Sequence, residues 1–502
     1  MDFIGIKQFE GKRGINLRKL LEKYRSIPIE LKASVAYTIC NVLVNSVAII
    51  TIPLFTRLLT TEQYGQFSIY QSWLSIMTIF LSLNLPYGSF NTAMVKFEND
   101  RDRYISSVEV ICITLSALFM MIYLPFSSIW NRLFELPTYL MVLMCFEILA
   151  QASLQFWYGK ERFKFQYKAV VIVTLLIAFL APIISLIFVM YAQEKGFARI
   201  VGGSAVTITF GLIFLLYNMR KGSFSINKKY IKYALSFNIA LIPYYLSQTI
   251  FNQSDRLMIK YFQGVDKAGI YSVAYSLATI LVFVLNAINN SYVPWLYKKI
   301  KMKQAESNKY VSSMIAIIMA FLLFCVVGVA PEIIYIMAGT KYLGAIWVVP
   351  PVAMSLLFLF YAQLFINIEF NYEEKWLLVG STVVAAIINI VLNGIFIPVF
   401  GYVAAAYTTL ASYIIFTFSN YFAYKVVCKK QNLNDNLFDY KKLFLIAVVF
   451  CTFCFAAMGL YTHSMIRYTL GIIVVILLAI SKNRILNKYK EIQQIFAGSD
   501  NE

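Results

Sequence analysis

About fourteen apolar runs in this 502-residue chain are each long enough to cross a bilayer, and the connections between them alternate between Lys/Arg-rich and Lys/Arg-poor. With the N-terminal tail as the first connection, and edge residues given to the nearest one, the odd-numbered connections hold 35 of the 44 Lys and Arg and the even-numbered ones 9. Retention of basic loops on the cytoplasmic face produces this bias. The expectation is an all-α polytopic protein of the bacterial cytoplasmic (inner) membrane, with both termini in the cytoplasm. A span takes ~20 residues, so fourteen of them leave no connection large enough for a folded domain. The membrane-embedded part must do the work.

The runs fall at about 33–56, 67–90, 106–130, 137–158, 169–191, 198–217, 233–254, 270–292, 310–329, 344–367, 376–398, 402–424, 443–461 and 465–481. They divide the chain into a basic cytoplasmic tail (1–32), a six-helix bundle (33–217), a basic linker (218–232) and a second six-helix bundle (233–424). A cytoplasmic loop (425–442), two extra transmembrane helices (443–481) and a cytoplasmic tail (482–502) follow. The N-terminal tail, with Lys12, Arg13, Arg18, Lys19, Lys23 and Arg25, suits an amphipathic helix on the cytoplasmic surface. The topology is weakest after the tenth run, where Glu369, Glu373 and Glu374 outnumber Lys375.

Only 14% of residues are charged, against about a quarter in soluble domains. The net charge of +19 follows the loop bias and anionic headgroups rather than nucleic acid, which is not an expected partner. Cys40, Cys112, Cys145, Cys325, Cys428, Cys451 and Cys454 are odd in number and lie nearly all in apolar runs, which argues against a disulfide framework. His463 is the one histidine and cannot build a metal site alone. Neither Gly11-Lys12 nor Gly159-Lys160 is followed by the Ser or Thr of a phosphate loop. No metal or cofactor is expected.

The two six-span groups look like copies offset by 204 residues. Tyr64-Gly65-Gln66-Phe67-Ser68 aligns with Ala268-Gly269-Ile270-Tyr271-Ser272, each after an acidic turn, Glu62 or Asp266. Asp102-Arg103-Tyr104 and Asn308-Lys309-Tyr310 occupy equivalent basic loops. Six spans per copy is even, so both copies enter the membrane in the same direction, about an axis along its normal.

The stretch Ile52-Pro53-Leu54-Phe55-Thr56-Arg57-Leu58-Leu59-Thr60-Thr61-Glu62-Gln63-Tyr64-Gly65 resembles the first-span junction of polysaccharide repeat-unit flippases, in the multidrug/oligosaccharidyl-lipid/polysaccharide exporter superfamily. Asp255-Arg256-Leu257-Met258-Ile259-Lys260, followed by Gly269-Ile270-Tyr271-Ser272-Val273-Ala274-Tyr275, resembles the span seven to eight junction of the same family. The resemblance implies two bundles around a central cavity, alternating access, and an undecaprenyl-diphosphate-linked oligosaccharide as cargo. Membrane lipids and the polysaccharide polymerase machinery are the implied partners, in the assembly of capsule, O-antigen or exopolysaccharide.

Moving such a head through hydrocarbon costs at least several kcal/mol per unshielded charge, so a cationic, hydrated cavity is required. Arg57 and Arg256 each end the first span of a repeat on the external side, where charge retention gives no reason for a cation. Their planar forks suit a diphosphate; the alternatives are snorkelling for Arg57 and an ion pair with Asp255 for Arg256. Lys260 either lines the same route or stays solvated. Lys96 either meets the head at the cytoplasmic side or follows the charge rule. Asn45 and Gln71 are polar breaks able to touch sugar or to join helices. Glu147, inside Met141-Val142-Leu143-Met144-Cys145-Phe146-Glu147, and Asp255 are the candidates for ion coupling, with a structural hydrogen bond as the alternative for Glu147. Two other readings remain. A multidrug or cation exporter of the same superfamily would favour a more acidic cavity. A polymerase or glycosyltransferase would need a cluster of carboxylates that no external loop carries, so no enzymatic role is expected.

Overall fold

The computed structural model describes residues 28–302, 305–433 and 436–480. The tail expected to form an amphipathic helix, and the C-terminal tail 482–502, lie outside the described residues apart from 28–32. The first bundle comprises α1 (Ile29–Leu58), α2 (Thr61–Ser82), the short α3 (Phe90–Lys96), α4 (Arg101–Tyr123), the short α5 (Ser127–Phe134), α6 (Thr138–Phe163), α7 (Tyr167–Tyr191) and α8 (Lys195–Lys221). The second comprises α9 (Lys228–Gln263), α10 (Val265–Lys301), α11 (Ala305–Gly328), the short α12 (Ala330–Ala338), α13 (Val349–Asn371), α14 (Lys375–Phe400) and α15 (Val403–Lys430). Two further helices, α16 (Tyr440–Gly459) and α17 (Ser464–Ile480), follow. Each expected span therefore overlaps a long helix, with boundaries that differ by up to nine residues, most where α9 and α10 run on past 254 and 292.

Ten of these helices hold a stretch apolar enough, by length and composition, to cross a membrane. The helices α2, α9 and α15 are as long but more polar, and the reason lies in the site they build.

Local chemistry sets the sharpest turns. Thr60 and Gln63 form a reciprocal capping box, each side chain accepting from the other's backbone N–H at 3.1 Å, so α2 starts two residues after α1 stops. Gly264, at φ 94°, turns the chain between α9 and α10, in a region that side chains resist. Within the bundles, small residues bring backbones together: a Cβ on Gly211 would lie 2.3 Å from that of Ala150, and one on Gly202 would lie 2.6 Å from the Ser185 Cα.

Successive crossings collect the Lys/Arg-rich connections at one end of the molecule, here termed the basic end. The acidic turn after α13 belongs there too, because Glu374 pairs with Lys430 at the end of α15. The helix α16 packs on α11 and α13, and the Tyr361 hydroxyl donates to the Leu443 carbonyl at 2.9 Å. Arg467 and Tyr468 of α17 both bond Glu332 of α12.

Apart from the start of α9, whose Tyr230 and Ala234 join the core of the first bundle, the apolar cores of the two bundles meet at the end opposite the basic one. There Ile52, Phe55, Leu59 and Tyr64 of the first bundle pack in one cluster with Ile259, Ala268, Tyr271 and Tyr342 of the second. Farther along the same helices, Leu74, Met77 and Leu81 of α2 pack within the first bundle, whereas Leu285, Tyr292 and Leu296 of α10 pack within the second. The bundles are thus closed at one end, the seal end, and α2 and α10 turn to separate cores toward the basic end, where α9 still bridges the two bundles.

Candidate functional site

The seal is built where α2 crosses α10. A Cβ on Gly65 would lie 2.1 Å from the Val265 carbonyl oxygen, and one on Gly269 would lie 2.1 Å from that of Thr61. The aligned glycines of the two repeats are therefore the mutual contact of the bundles. Polar bonds ring this crossing. Thr56 donates to the Met337 carbonyl at 2.7 Å, Arg57 to that of Ile336 at 3.1 Å, and Tyr342 to that of Thr60 at 3.4 Å. Lys341 donates to the Leu59 carbonyl, and burial pulls its ammonium below the usual lysine value. Lys260 pairs with Glu135 at 2.9 Å and donates to the Phe134 carbonyl at 3.2 Å, again across the two bundles.

Arg57 and Lys260, expected on a substrate route, thus sit in the seal. Arg57 is exposed there, and no contact joins it to Arg256.

Arg256 lies deeper and is half-buried. Its guanidinium donates to Gln253 Oε1 at 2.9 Å and to the Asn252 carbonyl at 3.0 Å, and lies 4.6 Å from the centre of the Tyr275 ring. Gln253 also accepts from Ser72 of α2 at 3.1 Å, so this cation stands at a polar bridge between the bundles. The ion pair with Asp255 considered above is not what the structure holds. Asp255 is buried and turned the other way, accepting from Tyr271 at 2.5 Å, Thr409 at 2.7 Å and Asn393 at 2.8 Å. Asn389 accepts from both Ser254 at 2.8 Å and Asn393 at 3.2 Å, and Thr408 donates to Asn393. These residues make α9, α14 and α15 one polar junction, and explain why α9 and α15 are less apolar than their neighbours.

The first bundle has its own buried carboxylate. Glu147 accepts from Tyr70 at 2.8 Å, Ser204 at 2.6 Å and Gln151 at 3.2 Å. It lines a cavity of about 310 Å³ with Gln71, Thr51, Thr207 and Arg199. Asn45 is half-buried on α1 and is not among the residues lining that cavity.

Lys96 is exposed at the basic end, 4.5 Å from the Tyr233 ring of α9. Around it, Tyr230 donates to Asp100 at 3.1 Å, and Asn238 accepts from the Ser89 backbone at 3.3 Å. The N-terminal half of α9 therefore packs on the first bundle and its C-terminal half on the second, with Pro243 between them.

Further buried charges were passed over in the sequence. Arg199 is enclosed by Phe67, Phe55 and Tyr64, with its Cζ 3.7, 4.2 and 4.6 Å from the ring centres. Glu109 accepts from Asn218 at 2.8 Å, and neither oxygen of the buried Glu369 has a partner among the described residues. The signal that flagged Glu147, a charge inside an apolar run, applied equally to Glu109.

A family described as "Polysaccharide biosynthesis protein" matches residues 31–300. Two curated proteins of Haemophilus influenzae are similar: "Lsg locus putative protein 1" is 23% identical over 290 residues, covering 54% of this chain and 67% of that one. An "Uncharacterized membrane protein" is 22% identical over 277 residues, covering 54% and 66%. Among solved structures, "Lipid II flippase MurJ, inward closed conformation" superposes with a TM-score of 0.63 at 13% identity, covering 91% of this chain and 100% of that one. The "Inward-facing conformation of a multidrug resistance MATE family transporter of the MOP superfamily" gives 0.59 at 13% identity, covering 79% and 99%. At such identities the likeness concerns the fold.

Proposed function

The chain belongs to the polysaccharide biosynthesis protein family, and from that premise we propose that it is a flippase for undecaprenyl-diphosphate-linked oligosaccharide repeat units. It carries them from the inner to the outer leaflet of the bacterial cytoplasmic membrane by alternating access. The observation that carries the reading is Arg256: a half-buried guanidinium at the bridge between bundles, hydrogen-bonded among the described residues to neutral oxygens. Such a cation is available to a phosphate oxygen, and its fork can exchange Gln253 for a charge-assisted bond.

In this reading the basic end is cytoplasmic and the conformation accepts cargo from that side. The diphosphate head enters between the parting halves of α2 and α10, meets Arg256, and leaves when the crossing at Gly65 and Gly269 separates. An inside-negative potential of 100 mV favours outward movement of each negative charge by ~2.3 kcal/mol. A head with about two charges gains roughly twice that, and Asp255 couples the movement to a cation that replaces its hydroxyl and amide donors.

Depletion in the native host, followed by measuring the leaflet in which the lipid-linked oligosaccharide accumulates, tests this. Cytoplasmic-leaflet accumulation is expected, and Arg256→Ala at wild-type protein level should reproduce it. Outer-leaflet accumulation of single units would indicate a polymerase, failure to make the unit a transferase, and normal export in Arg256→Ala would remove that residue from the route.

A further inference from the structure

Two of the buried carboxylates, Glu147 on the fourth long helix of its bundle and Asp255 on the first of the other, are held in a similar way. In each bundle the second long helix contributes a tyrosine and the sixth a hydroxyl: Tyr70 of α2 and Ser204 of α8 hold Glu147, and Tyr271 of α10 and Thr409 of α15 hold Asp255. Glu147 is the tenth residue of α6 and Tyr70 the tenth of α2, while Asp255 lies eight residues before the end of α9. At ~1.5 Å per residue, each carboxylate sits roughly 12–14 Å below the seal end. The helices bearing the tyrosines, α2 and α10, are the pair whose glycines form the seal.

The surroundings nevertheless differ. Asp255 shares its junction with the side-chain oxygens of Asn389, Asn393, Thr408 and Thr409. Glu147 has only two hydroxyls and one amide N–H, and that amide donates to it. All three of these groups donate to the carboxylate, so none of them presents a lone pair toward a cation beside it. A proton needs only one oxygen of the carboxylate itself.

The groups facing Glu147 complete the argument. From α2 they are Tyr70 and Gln71, and from α8 Ser204, Thr207 and Arg199, the guanidinium at the other end of the cavity. From α1 and α7 come Thr51, Ser185 and apolar side chains. On α4 the acidic group is Glu109, held by Asn218. No ion pair of Glu147 occurs among the described residues; its direct bonds are to neutral donors, and Arg199 is the cation that shares its cavity.

We propose that Glu147 is a proton-binding site separate from Asp255, and that its proton controls the seal through Tyr70. This deepens the alternating-access reading and rests on it. The step balances simply: a hydronium ion reaching the cavity gives its proton to Glu147 Oε2 and leaves as water, and the carboxylate becomes a neutral carboxyl. That oxygen then donates instead of accepting, so the Tyr70 and Ser204 hydroxyls can no longer both point their hydrogens at it. Tyr70 must turn its hydroxyl, and the charge-assisted bond that ties α2 to α6 there becomes at most a neutral one. Loss of the proton restores the clamp and with it the sealed crossing.

The test uses the full chain in lipid nanodiscs with no glycolipid present. Spin labels at Leu133→Cys and Tyr261→Cys, exposed positions on opposite bundles at the seal end, report the separation in a Cys325→Ser background. A tenfold difference in proton affinity between the two conformers moves their ratio by about tenfold across the titration. Between pH 5 and 9 the wild type should show such a movement toward the separated population in acid. E147Q should hold one ratio at every pH, and E147D should retain a response. Y70F, which keeps the carboxyl but not the clamp, should respond severalfold less. A pH-independent wild type, an E147Q protein that responds normally, or an undiminished response in Y70F each overturn the inference. The last measurement suffices should E147Q not assemble. Because no cargo is in the sample, such a failure leaves the flippase reading to be judged by export alone.

Discussion

Replacing Gly65 by alanine should open the seal without unfolding the protein. The added Cβ would meet the Val265 carbonyl oxygen at 2.1 Å and its Cγ1 at 2.9 Å, where ordinary contact begins at 3.4 Å. The obstacle at 2.1 Å is backbone, so no side-chain rotation relieves it and α2 and α10 must separate by more than an ångström at that point. Overpacking of this kind costs about 1–3 kcal/mol, and it acts only on the conformer in which the helices cross. The sealed population should therefore fall by roughly 5- to 150-fold relative to the open one. Alanine also raises helix propensity by ~1 kcal/mol over glycine, but that gain is common to both conformers and cancels between them. Gly380→Ala separates the two effects, since nothing lies within 4 Å of a Cβ there. Distance measurements with the Leu133 and Tyr261 labels should show a longer population in Gly65→Ala and none in Gly380→Ala. Identical distributions in the two variants would refute the claim that these glycines set the closed state.

Three further outcomes are expected. Asp255→Asn trades the charge-assisted bonds from Tyr271, Thr409 and Asn393 for neutral ones, so thermal unfolding should report a loss of about 1–3 kcal/mol, accompanied by loss of export. Glu135→Gln removes the cross-bundle pair with Lys260; because Glu135 is more than half exposed, a double-mutant cycle should give only about 0.2–1 kcal/mol, and the charge-swapped pair should recover it. Asp439→Ala removes the side-chain acceptor for the Lys442 N–H at the start of α16 and should cost about 0.5–2 kcal/mol in thermal unfolding. That N–H holds the Asp439 carboxyl below its ordinary value. A depressed carboxyl stabilises above its unfolded value, about 3.9, and the contribution fades as pH falls from there through the lower folded value. The Asp439→Ala protein should therefore lose less stability than the wild type between neutral pH and pH 3.

Hydropathy and charge located the fourteen long helices because a bilayer dictates both, one residue at a time: an apolar run of fixed length, then a connection whose basic content reflects its side. The sequence alignment of the two halves pairs Gly65 with Gly269, and these glycines lie at the contact between the bundles. Glu147 stood out since an acid in an apolar run needs a partner, although nothing along the chain said that Tyr70, Ser204 and Gln151 supply it.

What the linear pattern could not supply was direction. Arg57 and Arg256 look alike in sequence, each closing the first span of a repeat, yet one bonds a carbonyl in the seal and the other stands at the Gln253–Ser72 bridge. Asp255 and Arg256 are chain neighbours, and about 100° of helical turn per residue sends one into the second bundle and the other toward the first. Burial of Arg199 among three rings likewise depends on α1, α2 and α8 meeting. Lipid sets the length and order of these helices residue by residue, whereas the pairing of polar groups between distant helices is a property of packing, and only the tertiary structure decides it.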